Sequence, residues 1–285
     1  MGGLRSYLLL SWGGVFMSEM MLLDSTQRIA LAIEYDGSRF HGWQRQLNAA
    51  SVQQSVEDAL SKIEGQSVSV FAAGRTDAGV HARAMLAHAD VSLNRWTRSR
   101  RAYTQGLNQL LPPGVVITGV QSVNHDFHAR FDCIARCYRY QIWSRNTPTV
   151  LASWRHWWIP RKLDDIAMQD AAELLLGVHD FSTFRSSGCQ AKSTIKTMAK
   201  ASVIRQGYEI LLDFEADAFL YHMVRSMVGC LVQVGYGRWS INQFKDALES
   251  KDRAYAATMA PPQGLYFMNA RYAALSSQQL IGSCD

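Results

Sequence analysis

The stretch SVSVFAAGRTDAGVHARAMLAHADVS, residues 67–92, decides how the chain around it folds. Ser67–Ala73 reads as a strand and His81–Ser92 as another, with a glycine-bearing turn, Gly74–Gly79, between them. Upstream, Ile29, Leu31, Ile33 and Tyr35 alternate with smaller or polar residues, a period-two strand over Arg28–Tyr35 that Asp36-Gly37 ends. Ser51 and Gln54 have capping-box spacing, and Val52, Val56, Leu60 and Ile63 line one face of the helix they open, which Gly65 closes. Downstream, Asn94 is placed to cap a helix reaching Leu111, where Pro112-Pro113-Gly114 stops it. Val115–Val123 and Ala135–Ser144 read as further strands. The order β-α-β-β-α-β is a ferredoxin-like split arrangement with one sheet face free for a partner.

The rest of the chain alternates in the same way, more loosely. A helix opens at Asp164-Asp165 and ends near Gly177, and strands Thr194–Arg205 and Tyr208–Glu215 flank Gln206-Gly207. A long apolar helix covers Ala218–Val234, a shorter one Ser240–Leu248, and a strand Leu265–Tyr272. The expected class is α+β, two ferredoxin-like halves with antiparallel sheets flanked by helices, divided into residues 28–150 and 151–285. Residues 1–27 are expected to be a leader, disordered or produced by a start codon placed too early. The apolar run Tyr7–Phe16 lacks a small-x-small cleavage site after it.

Composition narrows the chemistry. The chain has 285 residues, 48% of them hydrophobic and 19% charged, which suits a globular protein rather than a disordered or fibrous one. No uninterrupted apolar stretch is long enough to span a membrane. Five scattered cysteines (Cys133, Cys137, Cys189, Cys230, Cys284) do not form a disulfide framework and fit a reducing cytoplasm. Of the net charge of +5, the window Val91–Lys162 carries +9, with eleven Arg or Lys against Asp126 and Asp132. Such concentration is the footprint of a phosphate-rich partner, or else a solvated basic face.

Metal-binding, phosphate-loop, dinucleotide and nucleophile-elbow motifs are absent from the sequence, so no metal is expected and the commonest nucleotide-, dinucleotide- and ester-based chemistries are removed. What remains is Gly74-Arg75-Thr76-Asp77-Ala78-Gly79-Val80-His81-Ala82, with a carboxylate on a turn, a guanidinium two residues before it, and glycines that admit close backbone approach. Asp77 there is either a local turn former paired with Arg75, a nucleophile aimed by Arg75, or half of an acid/base pair whose partner the sequence does not reveal.

That run resembles the signature of the tRNA pseudouridine synthase A family. Further matching runs are Tyr35-Asp36-Gly37, Phe40-His41-Gly42-Trp43-Gln44, Leu107-Asn108-Gln109-Leu110-Leu111-Pro112, Phe127-His128-Ala129-Arg130 and Tyr138-Arg139-Tyr140. The resemblance continues through Asp180-Phe181-Ser182-Thr183-Phe184-Arg185, His222-Met223-Val224-Arg225 and Gly264-Leu265-Tyr266, spanning roughly residues 28–272. Ala84-Met85 stands where the family usually has Gly-Gln.

The resemblance implies a pseudouridine synthase fold and an isomerase that converts uridine to pseudouridine at positions 38 to 40 of the tRNA anticodon stem-loop. It implies a homodimer, without cofactor or metal, acting on a flipped-out base. Asp77 matches the catalytic aspartate, Arg75 the basic residue beside it, and Tyr138 the tyrosine that stacks on the target base. Arg185 and Arg225 match basic positions that orient the aspartate or grip phosphate. His81, Arg130, Arg98 and Arg101 complete the expected RNA contacts, with Arg95 and Arg100 beside them. By spacing alone Tyr138 and Tyr140 share a strand face and could equally be core aromatics, and Arg225 on an apolar helix requires a partner if buried. A catalytically silent RNA-binding module and an RNA glycosylase are the competing readings. The first would have no need of Asp77, Arg75 and Tyr138 together, and the second would release uracil.

Overall fold

The computed structural model describes residues 25–281 apart from residues 152 and 274; the expected leader, up to residue 24, lies outside the described residues. Strand β1 (Thr26–Tyr35) begins two residues before its sequence boundary. Helix α1 (Val52–Glu64) follows, with Ser51 accepting the Gln54 amide at its N-terminus and Gly65 in the left-handed conformation at its end. Next come β2 (Phe71–Ala72) and β3 (His81–Ser92). The single helix expected from Asn94 to Leu111 is two short ones, α2 (Leu93–Arg98) and α3 (Gln105–Leu110). Ser92, not Asn94, caps the first, and a 3-10 turn at Arg100–Tyr103 separates them. That turn buries Tyr103, whose hydroxyl donates to Glu64. A tertiary contact thus interrupts what the sequence reads as continuous.

Strands β4 (Val115–Ser122) and β5 (Ala135–Ser144) stand where expected. Beyond them lie β6 (Trp157–Ile159), α4 (Asp165–Glu173), β7 (Gly177–Asp180), β8 (Ile195–Gln206) and β9 (Glu209–Ala216). The chain ends with α5 (Met223–Gly235), α6 (Ile241–Ser250), β10 (Leu265–Arg271) and α7 (Ser277–Leu280). Strands β6 and β7, of three and four residues, are too short to leave a periodic signature.

All ten strands belong to one mixed sheet in the order β4-β1-β3-β10-β5-β9-β8-β7, with β2 pairing β3 and β6 pairing β5. The sheet therefore falls into two strand groups, β4-β1-β3 and β5-β9-β8-β7, the latter beginning with a strand of residues 28–150, and the groups share a seam. It is made by β10, which runs parallel to β3 over only two register pairs, Tyr266 with His81 and Phe267 with Ala82. On its other side β10 is antiparallel to β5, with Phe267 opposite Tyr138. A strand from the chain's end thus brings the start of β3, just past the Gly74–Gly79 turn, one strand away from Tyr138. Helix α5 is buried at twelve of its thirteen residues, Gln233 being the exception, so it packs as a core helix.

Candidate active site

The turn carrying Asp77 is pinned from beneath by the first half. The Tyr35 hydroxyl and Thr76 Oγ1 lie 2.7 Å apart in the core, and the Trp43 amide donates to the Thr76 carbonyl at 3.0 Å. Gly42, at φ +95°, lets that segment approach, since a Cβ there would lie 2.6 Å from the Thr76 carbonyl oxygen. Burial pushes the Tyr35 phenol well up, so it serves as a neutral hydrogen-bonding group.

The other half grips the carboxylate. Arg225 is the only charged residue of α5; it is 8% exposed, with Nη1 3.0 Å from Asp77 Oδ2 and Nε donating to the Ala260 carbonyl at 2.9 Å. The buried guanidinium therefore has both the partner its burial requires and a place in the site. His222, just before α5, puts Nε2 3.3 Å from the same carboxylate oxygen, while its Nδ1 lies 2.9 Å from Ser186 Oγ. Sequence reading assigned His222 no role, although it opens the family-matching run His222-Met223-Val224-Arg225, three residues before the lone arginine of an apolar helix.

Tyr138 is nearly buried, edge-to-face with Phe219 at 5.0 Å and with Phe267 at 5.2 Å between ring centroids. A Cβ at Gly74 would stand 3.8 Å from its hydroxyl, so the ring abuts the start of the Asp77 turn. Burial, assisted by Asp77 and opposed by Arg136, raises its phenol well above the usual range and keeps it protonated. The ring is thus a cross-strand aromatic that stands beside the Asp77 turn.

Arg136, also unassigned by the sequence, ties the corner together. Its guanidinium donates to the carbonyls of Ala73 at 3.1 Å, Cys133 at 3.2 Å, Arg130 at 2.7 Å and Asp217 at 2.6 Å. Those carbonyls belong to the residue before the turn, to the approach to β5 and to the segment leading into α5.

The remaining expected residues are dispersed. Arg75 is exposed and donates to Gln190 Oε1 at 3.3 Å; the cation on Asp77 is Arg225 instead. His81 is 3% exposed, its Nδ1 accepting the Gly37 amide at 3.1 Å and its ring stacked on Tyr266, and burial lowers its imidazole pKa. Arg185 lines an open cavity of about 580 Å³ together with Ser186, Lys251 and Arg253. Through Ser186 and His222 that cavity lies one hydrogen-bonded chain from Asp77. Arg98 and Arg101 are exposed on α2 and the turn after it, and Arg130 is exposed beside the Phe131 ring. Among the described residues no three His, Cys, Asp or Glu side chains gather as a metal site would require.

A turn-borne carboxylate, a buried guanidinium and an aromatic wall at the junction of two half-sheets can be compared with known proteins. The family model described as tRNA pseudouridine synthase matches residues 31–132 and 171–273, the first segment containing Asp77 and the second His222 and Arg225. The chain belongs to the tRNA pseudouridine synthase family. It is an enzyme of the isomerase class. Proteins named tRNA pseudouridine synthase A share its sequence along most of its length. One from Rhizorhabdus wittichii is 47% identical over 248 residues, covering 87% of this chain and 96% of the relative. Another from Bartonella henselae is 44% identical over 245 residues, 86% of this chain and 99% of the relative. A third, from Rhodospirillum centenum, is 47% identical over 247 residues, 86% of this chain and the whole of that protein. Tyr138 falls between the two segments matched by the family model, on the strand next to the seam.

Proposed function

We propose that this pseudouridine synthase isomerises uridine at positions 38 to 40 of the tRNA anticodon stem-loop, with Asp77 as nucleophile toward a flipped-out base. The observation that carries the reading is the Asp77–Arg225 contact at the seam, 3.0 Å long. The N1–C1′ bond breaks with Asp77 attached either to the pyrimidine ring or to the anomeric carbon. The base then rotates and a C5–C1′ bond forms. The proton lost from C5 is balanced by one gained at N1, so the product is an isomer and no co-reactant is consumed.

Tyr138, neutral and with its hydroxyl beside Gly74, is the stacking wall for the extruded uracil. Arg75, exposed at the mouth of the turn, fills the space the base leaves. Base extrusion costs a few kcal/mol, least in a loop or at a stem end, and stacking with phosphate contacts offsets it. Arg98, Arg101, Arg130 and Arg185 are the phosphate contacts, and His81 supports the site through Gly37. The enzyme works as a homodimer in the cytoplasm. The four free cysteines among the described residues suit a reducing compartment, and no helix there is long and apolar enough to cross a membrane.

The test is pseudouridine mapping on an unmodified tRNA transcript, with wild-type protein and Asp77→Asn, in EDTA without added cofactor, while RNA binding is followed in parallel. Wild type is expected to convert uridines of the anticodon arm, and the variant to bind but convert none. Full turnover by the variant would reduce Asp77 to a turn residue. Binding without conversion by wild type would favour a silent RNA-binding module, and free uracil would favour a glycosylase.

A further inference from the structure

His222 stands in the left-handed region, φ 63° and ψ 6°, where a residue with a Cβ is strained. The strained backbone aims the imidazole at two groups. Nε2 reaches Asp77 Oδ2 at 3.3 Å, and Nδ1 reaches Ser186 Oγ at 2.9 Å. The ring is stacked on Tyr221, centroids 3.7 Å apart, and the Tyr221 carbonyl accepts the Ser186 amide at 3.2 Å. Both Arg225 and His222 therefore meet the same carboxylate oxygen, and no donor among the described residues reaches Oδ1 at hydrogen-bonding distance.

We infer that His222 is a positioning residue for the reaction: a neutral imidazole, drawn to the Nε2–H tautomer by the Asp77 carboxylate and held by the Ser186 hydroxyl, that fixes Asp77 Oδ2 with Arg225 and leaves Oδ1 as the attacking oxygen. The inference rests on the reading of Asp77 as nucleophile. Its physical content is a tether without a charge. One guanidinium already stands on Oδ2, and a second cation beside it would draw electron density from the carboxylate and weaken it as a nucleophile. A neutral N–H fixes the same oxygen without that penalty. The Asp77 carboxylate makes the choice of tautomer, because it can only accept and so draws the ring proton to Nε2, while the Ser186 hydroxyl, able to donate or accept, then donates to Nδ1.

Burial and the neighbouring cations favour the neutral ring against the pull of Asp77. Burial lowers the pKa of His222; Asp77 opposes this, and Arg225 on α5 and Arg253 on the turn after α6 reinforce it. Once protonated, the imidazolium donates to Ser186 as well as to Asp77 and adds the second positive charge. Turnover should therefore fall as pH drops through the pKa of His222.

The experiment has two independent readouts. Single-turnover pseudouridine formation is followed against pH for wild type, His222→Ala, His222→Asn and Ser186→Ala, with tRNA binding measured for each. In parallel, long-range 1H–15N correlation spectra of the full chain report the ring tautomer of His222. Asparagine can stand at positive φ and offers a neutral N–H donor, so it is the conservative variant. The expected result is a rate for His222→Ala about ten- to hundredfold below wild type, the range for losing a hydrogen bond to a charged group, with binding within about twofold. His222→Asn should recover most of the rate and lack the acid limb of the profile. Ser186→Ala, which frees the ring to turn, should fall between them, and the spectra should show the Nε2–H form in wild type and in Ser186→Ala.

Wild-type-like turnover by His222→Ala, a His222→Asn variant as impaired as the alanine, or an Nδ1–H ring in wild type would each overturn the inference. If His222→Ala fails to fold, the asparagine and Ser186 variants decide. If wild type converts no uridine while the ring is still in the Nε2–H form, the reading of function has failed and not the tether.

Discussion

The two sides of the seam build the site by different means. On the first side the Asp77 turn is held by neutral hydrogen bonds through Tyr35, Thr76 and Trp43, and by glycine where the backbones nearly touch. On the second side a core helix contributes one buried guanidinium and one strained histidine, both aimed at the same carboxylate oxygen. The first side fixes where the carboxylate is, and the second fixes which way it faces. Asp77 and Arg225 are 148 residues apart, and Arg75, only two residues away, turns to Gln190 instead. Proximity in sequence is thus a poor guide to the partner of a charge on a turn.

If this division of labour is right, the corner where the two sides are tied should be sensitive. Arg136 donates to four carbonyls from three segments, and Arg136→Met keeps the apolar stem while abandoning all of them. Two of those bonds are exposed, where water substitutes, so the expected loss is about 2–3 kcal/mol, or roughly 5–10 °C in Tm for a chain of this size. Calorimetry checks the stability, and turnover should fall further than binding because the turn and the lead-in to α5 lose their common anchor. An unchanged melting temperature would mean that the seam is held by the sheet alone.

A smaller effect distinguishes the first half by pH. His88 on β3 is buried beside His128, and burial with that neighbour pushes its imidazole from an ordinary 6.5 down to about 4. The unfolded chain takes up this proton at higher pH than the folded one. Stability from His88 is therefore complete above about pH 6.5 and is lost as pH falls toward 4. His88→Gln should lower stability at neutral pH, where the Ala129 amide donates to His88 Nδ1, yet flatten the decline in Tm between pH 6.5 and 4. A decline of the same steepness in the variant would move the acid sensitivity elsewhere.

The same contrast explains what the sequence made legible. Strand β1, helix α1 and strand β5 could be read because alternation, an N-cap serine and a closing glycine are local signals. The Asp77 turn and the apolar α5 with its lone arginine were readable too, and the family resemblance assigned Asp77 and Tyr138. The split between α2 and α3 was not, because it follows from burying Tyr103 against Glu64, a contact 39 residues apart in sequence. The merging of both halves into one sheet depends on β10 inserting between β3 and β5, which no pattern within β10 reveals. His222 and Arg136 were missed for a related reason, since one acts through a strained backbone and the other through carbonyls that carry no residue identity.

The measurement that tests this account most directly is the single-turnover rate of Arg225→Ala at saturating enzyme, set beside Arg75→Ala and with tRNA binding recorded for both. The account predicts a rate for Arg225→Ala reduced about a hundredfold or more, with binding changed only a few-fold, because a charge-assisted hydrogen bond that aims the carboxylate has gone. Arg75→Ala should leave the Asp77–Arg225 contact intact. A wild-type rate in Arg225→Ala would contradict the claim that the second half orients the carboxylate carried by the first.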